Sequence, residues 1–254
     1  MSVLALEFEP VSRLTSWKPI LLKGTPFAIN KVVLLMWLAV ILVFFLFRQA
    51  GRRAALVPAG VQNVAESIVD FVREGVILQT IGPDGMGFLP LLVTMFCFIF
   101  VLNVFEIIPV IQMPVTARMA VPLFMALMVF VLYWYMGIKS QGLGGFLKAA
   151  CIPPGVPKFM LPLIAFLEFL QLIFIRPFSL AVRLFANLLA GHLLLATFAV
   201  LSTALFTSTI IGSAVPGALL VALTGFELLV SVLQAFIFTI LTAVYIGGSM
   251  HPDH

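Results

Sequence analysis

The chain has 254 residues, 63% of them hydrophobic and 9% charged, with a formal net charge of +4. An ordinary soluble domain carries about 25% charged residues, and a mean hydropathy of +1.22 is too apolar to hide in a soluble core of this length. The composition therefore excludes a water-soluble domain and predicts a polytopic membrane protein, while the few cations form no basic helix or aromatic-studded surface for nucleic acid.

Residues 1–30 hold Glu7, Glu9, Arg13, Lys18 and Lys23 among several prolines, with no cleavable signal pattern, and are expected to form an exposed N-terminal segment. Residues 31–49 read as the first span, an apolar run closed by Arg48, Arg52 and Arg53. Pro58 then introduces residues 61–80, where Val61, Val64, Ala65, Ile68, Phe71, Val72 and Val76 recur at helical spacing. Gln62, Asn63, Glu66, Asp70, Arg73 and Glu74 occupy the other face, so this helix should lie on the membrane rather than cross it.

Residues 88–110 form the expected second span, with Asn103 and Glu106 on one face. A return at Pro109 and Pro114 leads to the third, 115–137, and then to a glycine- and proline-rich loop, 138–158, carrying Lys139, Lys148 and Lys158. Two long apolar segments follow, 159–211 and 215–247, with HPDH as the tail. The fold class is thus an all-α polytopic membrane protein of about five transmembrane helices plus one interfacial amphipathic helix. Even from Phe178 to Ile211 a helix would measure about 51 Å at ~1.5 Å per residue. Against a hydrocarbon layer of ~30 Å, such segments must be strongly tilted or broken. Basic residues flank the first span on both sides, so later loops set the orientation. The three-lysine loop faces the cytoplasm, and parity over five spans puts the N-terminus outside and the C-terminus inside. Cys97 and Cys151 show neither framework nor metal spacing and read as apolar fillers.

The chemistry concentrates in IRPFSLAVRLFANLLAGHLLL, residues 175–195, where Arg183, Asn187 and His192 interrupt an apolar run. A guanidinium in hydrocarbon costs roughly 2.5–3.5 kcal/mol on insertion scales and cannot escape by losing its proton. Such a group is normally held by an acid, water or a polar lining, and by default it marks a pathway. Arg183, Asn187 and Ala190 or Gly191 share one helical face, with Ala186 beside them. The last segment carries a stripe of Thr224, Glu227, Ser231 and Gln234, which reads either as interhelical glue or as a channel lining.

Each of these groups has a plainer alternative. Arg183 could pair structurally with Glu227, Asn187 could be glue, and His192 could be a core histidine bonded to a carbonyl. His192 and Glu227 at similar depth on antiparallel helices would instead make a proton relay. Glu168 with Arg176 reads equally as an interfacial pair or as a lining group. Glu106 reads as lining a vestibule or reaching the headgroups. No GxxxxGK[ST], HExxH, GxSxG or CxxC motif occurs, so soluble catalysis and a bound cofactor find no support.

RPFSLAVRLFANLLAGH (176–192), LQAFIFTILTAVYI (233–246) and NVFEIIP (103–109) resemble the subunit a family of F-type ATP synthases, and the likeness covers most of the chain from about Lys31. The resemblance implies the family's fold and a non-catalytic, proton-conducting role in the bacterial plasma membrane. It also implies the rotor ring of subunit c, the peripheral-stalk subunit b and the remaining synthase subunits as partners. Arg183 matches the family's essential arginine, Asn187 the amide one turn on, and Gln234 the glutamine of the last helix. His192 and Glu227 match positions where members carry a histidine and a glutamate in either order.

On this reading one half-channel is lined by Asn103, Glu106, Asn187, His192, Glu227, Ser231 and Gln234, the other by Glu168, and Arg183 separates them. The hairpin return, MPVTARMAVP, departs from the family's more polar stretch, so no role carries over to it. The alternatives are an ion-coupled secondary transporter with a midplane site at Arg183 and Glu227, or a scaffolding subunit. No internal repeat of the kind common in transporters is present.

Overall fold

The computed structural model describes residues 29–52, 57–108, 115–152, 159–208 and 210–250, together with 55, 111, 113 and 157. Nearly all of the expected N-terminal segment, Pro109 and Pro114 of the return, Lys158 and the HPDH tail lie outside the described residues. Among the described residues six helices follow in chain order, and five of them are long and apolar enough to cross a membrane.

Helix α1 (Lys31–Arg52) starts where the Asn30 side-chain oxygen accepts the N–H of Val33 at 3.1 Å, capping one of the free donors at a helix start. It buries a single stripe, Val32, Ala39 and Val43, and leaves Trp37, Phe44 and Phe45 to the lipid. Gln62 then ties the connection down. Its amide bonds both the N–H and the carbonyl of Ala55, at 3.0 and 2.9 Å, and donates to Glu66 at 2.7 Å.

Helix α2 (residues 61–80) combines Val61–Val72, a widened turn at Arg73–Ile77 and a last turn at Leu78–Thr80. It buries Ala65, Val72, Val76 and Ile77 and exposes Glu66, Asp70, Arg73 and Glu74, but it also buries Gln62 of the expected polar face and leaves Val61, Val64 and Phe71 of the apolar face exposed. A short tight turn, Pro83–Phe88, feeds α3 (Leu89–Ile107), whose buried residues include Asn103 and Glu106.

The third span differs from expectation. Helix α4 (Ala120–Cys151) runs through most of the segment expected to be the loop 138–158, turning at Gly142, where φ is 73°. A β-carbon is disfavoured at that φ, so glycine permits the turn. Beyond it, Phe146, Leu147 and Ala150 recur at helical spacing and pack on the core, with Phe146 edge-on to Trp134 at 5.5 Å. Glycine richness marked one turn here, not an unstructured loop.

Helix α5 (residues 161–208) consists of Leu161–Leu170, a widened turn at Gln171–Ile175, and Arg176–Ser208. In the widened turn the N–H of Arg176 reaches the carbonyl of Gln171, five residues back. Continuing that pattern, the carbonyl of Leu172 would need an N–H at position 177, which is proline and has none. The buried Tyr133 hydroxyl on α4 supplies it, donating to the Leu172 carbonyl at 2.5 Å. The helix thus passes Pro177 instead of beginning after it.

Helix α6 (Ile210–Met250) begins earlier than the expected 215 and carries Pro216 inside its second turn. At its far end the Ser249 carbonyl accepts the Ser140 hydroxyl at 3.1 Å and the Gln141 amide at 2.8 Å. Two side chains of α4 therefore cap the last turn of α6.

Helices α5 and α6 run antiparallel in one sustained register. Ser202 lies beside Gly217, Gly191 against Glu227, Asn187 on Gln234, and the Arg176 guanidinium over the Tyr245 ring at 5.4 Å. Gly247 comes to the Thr80 carbonyl, so the end of α6 meets the end of α2. A straight helix over residues 161–205 would be about 68 Å long, so α5 cannot stand upright in a layer of ~30 Å.

Candidate functional site

Three helices and one turn build a buried polar track. From α3 come Asn103 and Glu106, one turn apart on one face. From α5 come Asn187, Gly191 and His192, and from α6 come Glu227, Ser231 and Gln234, each a turn from the next. Asn103 is 0% exposed, Glu106 3%, Glu227 5%, Ser231 1% and Gln234 4%, far too buried for polar groups without a purpose.

His192 Nδ1 stands 3.3 Å from Glu106 Oε1, an ion pair whenever the imidazole is protonated. Neither a backbone carbonyl nor Glu227 is the partner at that distance. Glu227 sits one residue along, its carboxylate against the α-carbon of Gly191, where any β-carbon would collide with both oxygens. Glycine at 191 is what lets an acid occupy this layer. Glu106 meets His192 and Glu227 rests on Gly191 beside it, so two acids and one histidine lie at one level of the bundle.

Further in, Asn187 Nδ2 donates to Gln234 Oε1 at 3.4 Å and closes the track. Several of its buried atoms have no hydrogen-bond partner among the described residues: Asn103 Nδ2, Glu106 Oε2, Glu227 Oε1, Ser231 Oγ and Gln234 Nε2. Buried polar groups at this density are stable only when something mobile and polar serves them, and water fits. Pure interhelical glue would have paired these groups with each other.

Arg183 lies one helical turn from Asn187, outside the buried track. It is exposed on the outer face of α5, in line with the exposed Ala186 and Ala190. Among the described residues it makes no ion pair, so the structural pairing with Glu227 does not occur. Glu168 is half-buried on the first part of α5, outside the track. The expected alternative of a Glu168–Arg176 pair is absent too, since Arg176 covers Tyr245 instead.

One member of the site gave no signal in the sequence. Thr116, in the tight turn Val115–Ala117 between α3 and α4, is fully buried and donates to Asn103 Oδ1 at 3.2 Å. A lone threonine in a return has no periodicity to betray it.

The sequence model of the family described as ATP synthase A chain matches residues 33–247. A protein of Frankia alni named ATP synthase subunit a is 42% identical over 229 residues, covering 89% of this chain and 79% of that one. The proteins of the same name from Streptomyces lividans and Rhodococcus erythropolis are 41% and 38% identical, covering 89% and 92% of this chain and 81% and 87% of their own lengths. Nothing in these likenesses supports the transporter alternative. A match that takes in every span and the whole polar track leaves one conclusion: the chain belongs to the ATP synthase A chain family, as a membrane-embedded subunit of ATP synthase.

Proposed function

We propose that the buried track is the outer of two half-channels by which this subunit passes protons to and from a carboxylate on a ring of subunit c. Its part in ATP synthesis is ion conduction rather than bond chemistry. Protons enter among Asn103, Glu106, His192 and Glu227, pass Ser231 and the Asn187–Gln234 pair, and neutralise the rotor carboxylate. The neutral acid can then turn through lipid without the cost of a buried charge. It ionises into a second half-channel on the cytoplasmic side, for which Glu168 is the proposed lining group.

The observation that carries this reading is Arg183. A permanent cation, exposed, without an acid partner among the described residues and flanked by alanines, is a half-made ion pair awaiting a partner of stated charge. As a fixed charge between the half-channels it favours the ionised rotor acid and repels protons that would cross directly.

Orientation follows from the cations. Arg48, Arg52, Arg73, Lys139 and Lys148 lie toward the end of the bundle where α6 meets α2, which makes that end cytoplasmic and the start of α1 external. The plasma membrane of a bacterium, with subunit b of the peripheral stalk alongside, is the setting this implies. The test is Arg183→Lys in the assembled synthase. ATP-driven proton pumping into inverted vesicles should fall to near zero with assembly intact, and pumping at the wild-type rate would overturn the proposal.

A further inference from the structure

The tight turn Val115–Ala117 before α4 lies against the side of α3, so that Thr116 reaches Asn103, a full turn before α3 ends at Ile107. Val115, Thr116 and Ala117 are all buried, and the turn packs against α5 as well as α3. Around it lies a separate apolar cluster of Val32, Leu102, Phe105, Met113 and Val121. The Thr116 hydroxyl and the Asn103 amide are thus a buried polar pair beside an apolar cluster, on the face of α3 that also carries Glu106.

A primary amide can present either end, because rotation about its last torsion swaps oxygen for nitrogen at small cost. Here the oxygen is held by Thr116, and Nδ2 is left buried with no partner among the described residues. The reverse orientation would turn a carbonyl oxygen toward the face that carries the Glu106 carboxylate, which is unfavourable when that acid is ionised. The titratable groups around this pair are Glu106 on α3, His192 on α5 and Glu227 on α6. Arg118 follows the turn, and Lys31 starts α1.

We propose that Thr116 is a positioning residue for proton uptake: by holding the oxygen of Asn103 it fixes the amide's N–H donors toward the Glu106–His192 pair. This rests on the half-channel reading given above. The donors then anchor the water that hands protons to the pair, and the buried turn seals the path sideways from lipid. Thr116 itself touches no proton in transit.

The test is ATP synthesis by the assembled synthase in vesicles, measured as a function of pH on the proton-uptake side. Thr116→Val keeps the shape and removes the hydroxyl. Its half-maximal rate should require about three- to tenfold more protons, the range set by losing one hydrogen bond, with the maximal rate nearly kept. Thr116→Ser should restore the wild-type profile. Thr116→Val combined with Asn103→Ala should shift the profile no further than Asn103→Ala alone.

A wild-type profile for Thr116→Val, or an equal shift in Thr116→Ser, would overturn the proposal. So would failure of Thr116→Val to assemble while Thr116→Ser assembles, because the hydroxyl would then serve the fold and not the proton path. Arg183→Lys and Glu106→Gln, run in the same vesicles, separate the two levels. If both conduct normally, the half-channel reading falls. If both are blocked while Thr116→Val is unaffected, only the role of Thr116 falls.

Discussion

Gly191 and Glu227 are packed with nothing between them: the α-carbon of one is the floor on which the carboxylate of the other rests. Two long antiparallel helices are thereby brought together at the layer where an acid must be both buried and reachable. The contact is set by the absence of a side chain, so the smallest possible addition should disturb it.

Gly191→Ala is expected to push the Glu227 carboxylate off its seat. Overpacking of this kind costs about 1–3 kcal/mol, and on the half-channel proposal Glu227 carries protons, so pumping should fall about tenfold while the subunit still reaches the membrane. Immunoblots of membranes together with pumping assays on the same vesicles check both halves of that statement.

Glu106 and His192, at 3.3 Å, should behave as one unit. Removing either leaves the other buried beside Glu227 without its partner, so Glu106→Gln and His192→Gln should each slow transport strongly. The double variant should be no worse than the poorer single one. Additive losses in a double-mutant cycle would mean that the two act on different steps.

Much of this was legible in the sequence. The composition, the amphipathic pattern of residues 61–80 and the intramembrane arginine all depend on local spacing, which survives folding unchanged. What stayed hidden was the phase between helices. His192 and Glu227 sit at matching depths, but periodicity cannot say that α3 is rotated to bring Glu106 to the imidazole instead. Gly142 lies in the stretch whose glycines and prolines predict a loop, although Phe146, Leu147 and Ala150 keep helical spacing beyond it. Thr116 could not be read at all, because a turn that folds inward resembles one that stays out.

Arg183→Ala should open a leak. Without the cation, nothing at that level repels a proton passing between the two half-channels. Vesicles stripped of the peripheral catalytic sector should then lose an imposed pH gradient several-fold faster than wild type. A leak equal to that of the wild type would show that the barrier is steric.

Tyr133 and Pro177 make a coupled pair at a distance. Tyr133→Phe leaves the Leu172 carbonyl buried with no donor, a cost of about 1–3 kcal/mol that should lower the thermal stability of the assembled complex. Pro177→Ala returns an N–H to the helix, so Tyr133→Phe in that background should cost much less. Melting temperatures of the four proteins measure the coupling directly.

Along residues 161–205, the hairpin arm bearing Arg183, few side chains are fully buried within the chain itself, and Leu163, Phe166, Phe174 and Phe178 stand exposed. A newly made copy therefore carries a long, poorly supported limb and a bare cation in lipid until company arrives. Such a molecule is conspicuous to any quality-control machinery that grips loosely held membrane segments. Its lifetime, and hence its abundance, should track how quickly the rest of the motor is supplied, so that stoichiometry is kept by clearance of unclaimed copies rather than by matched synthesis alone.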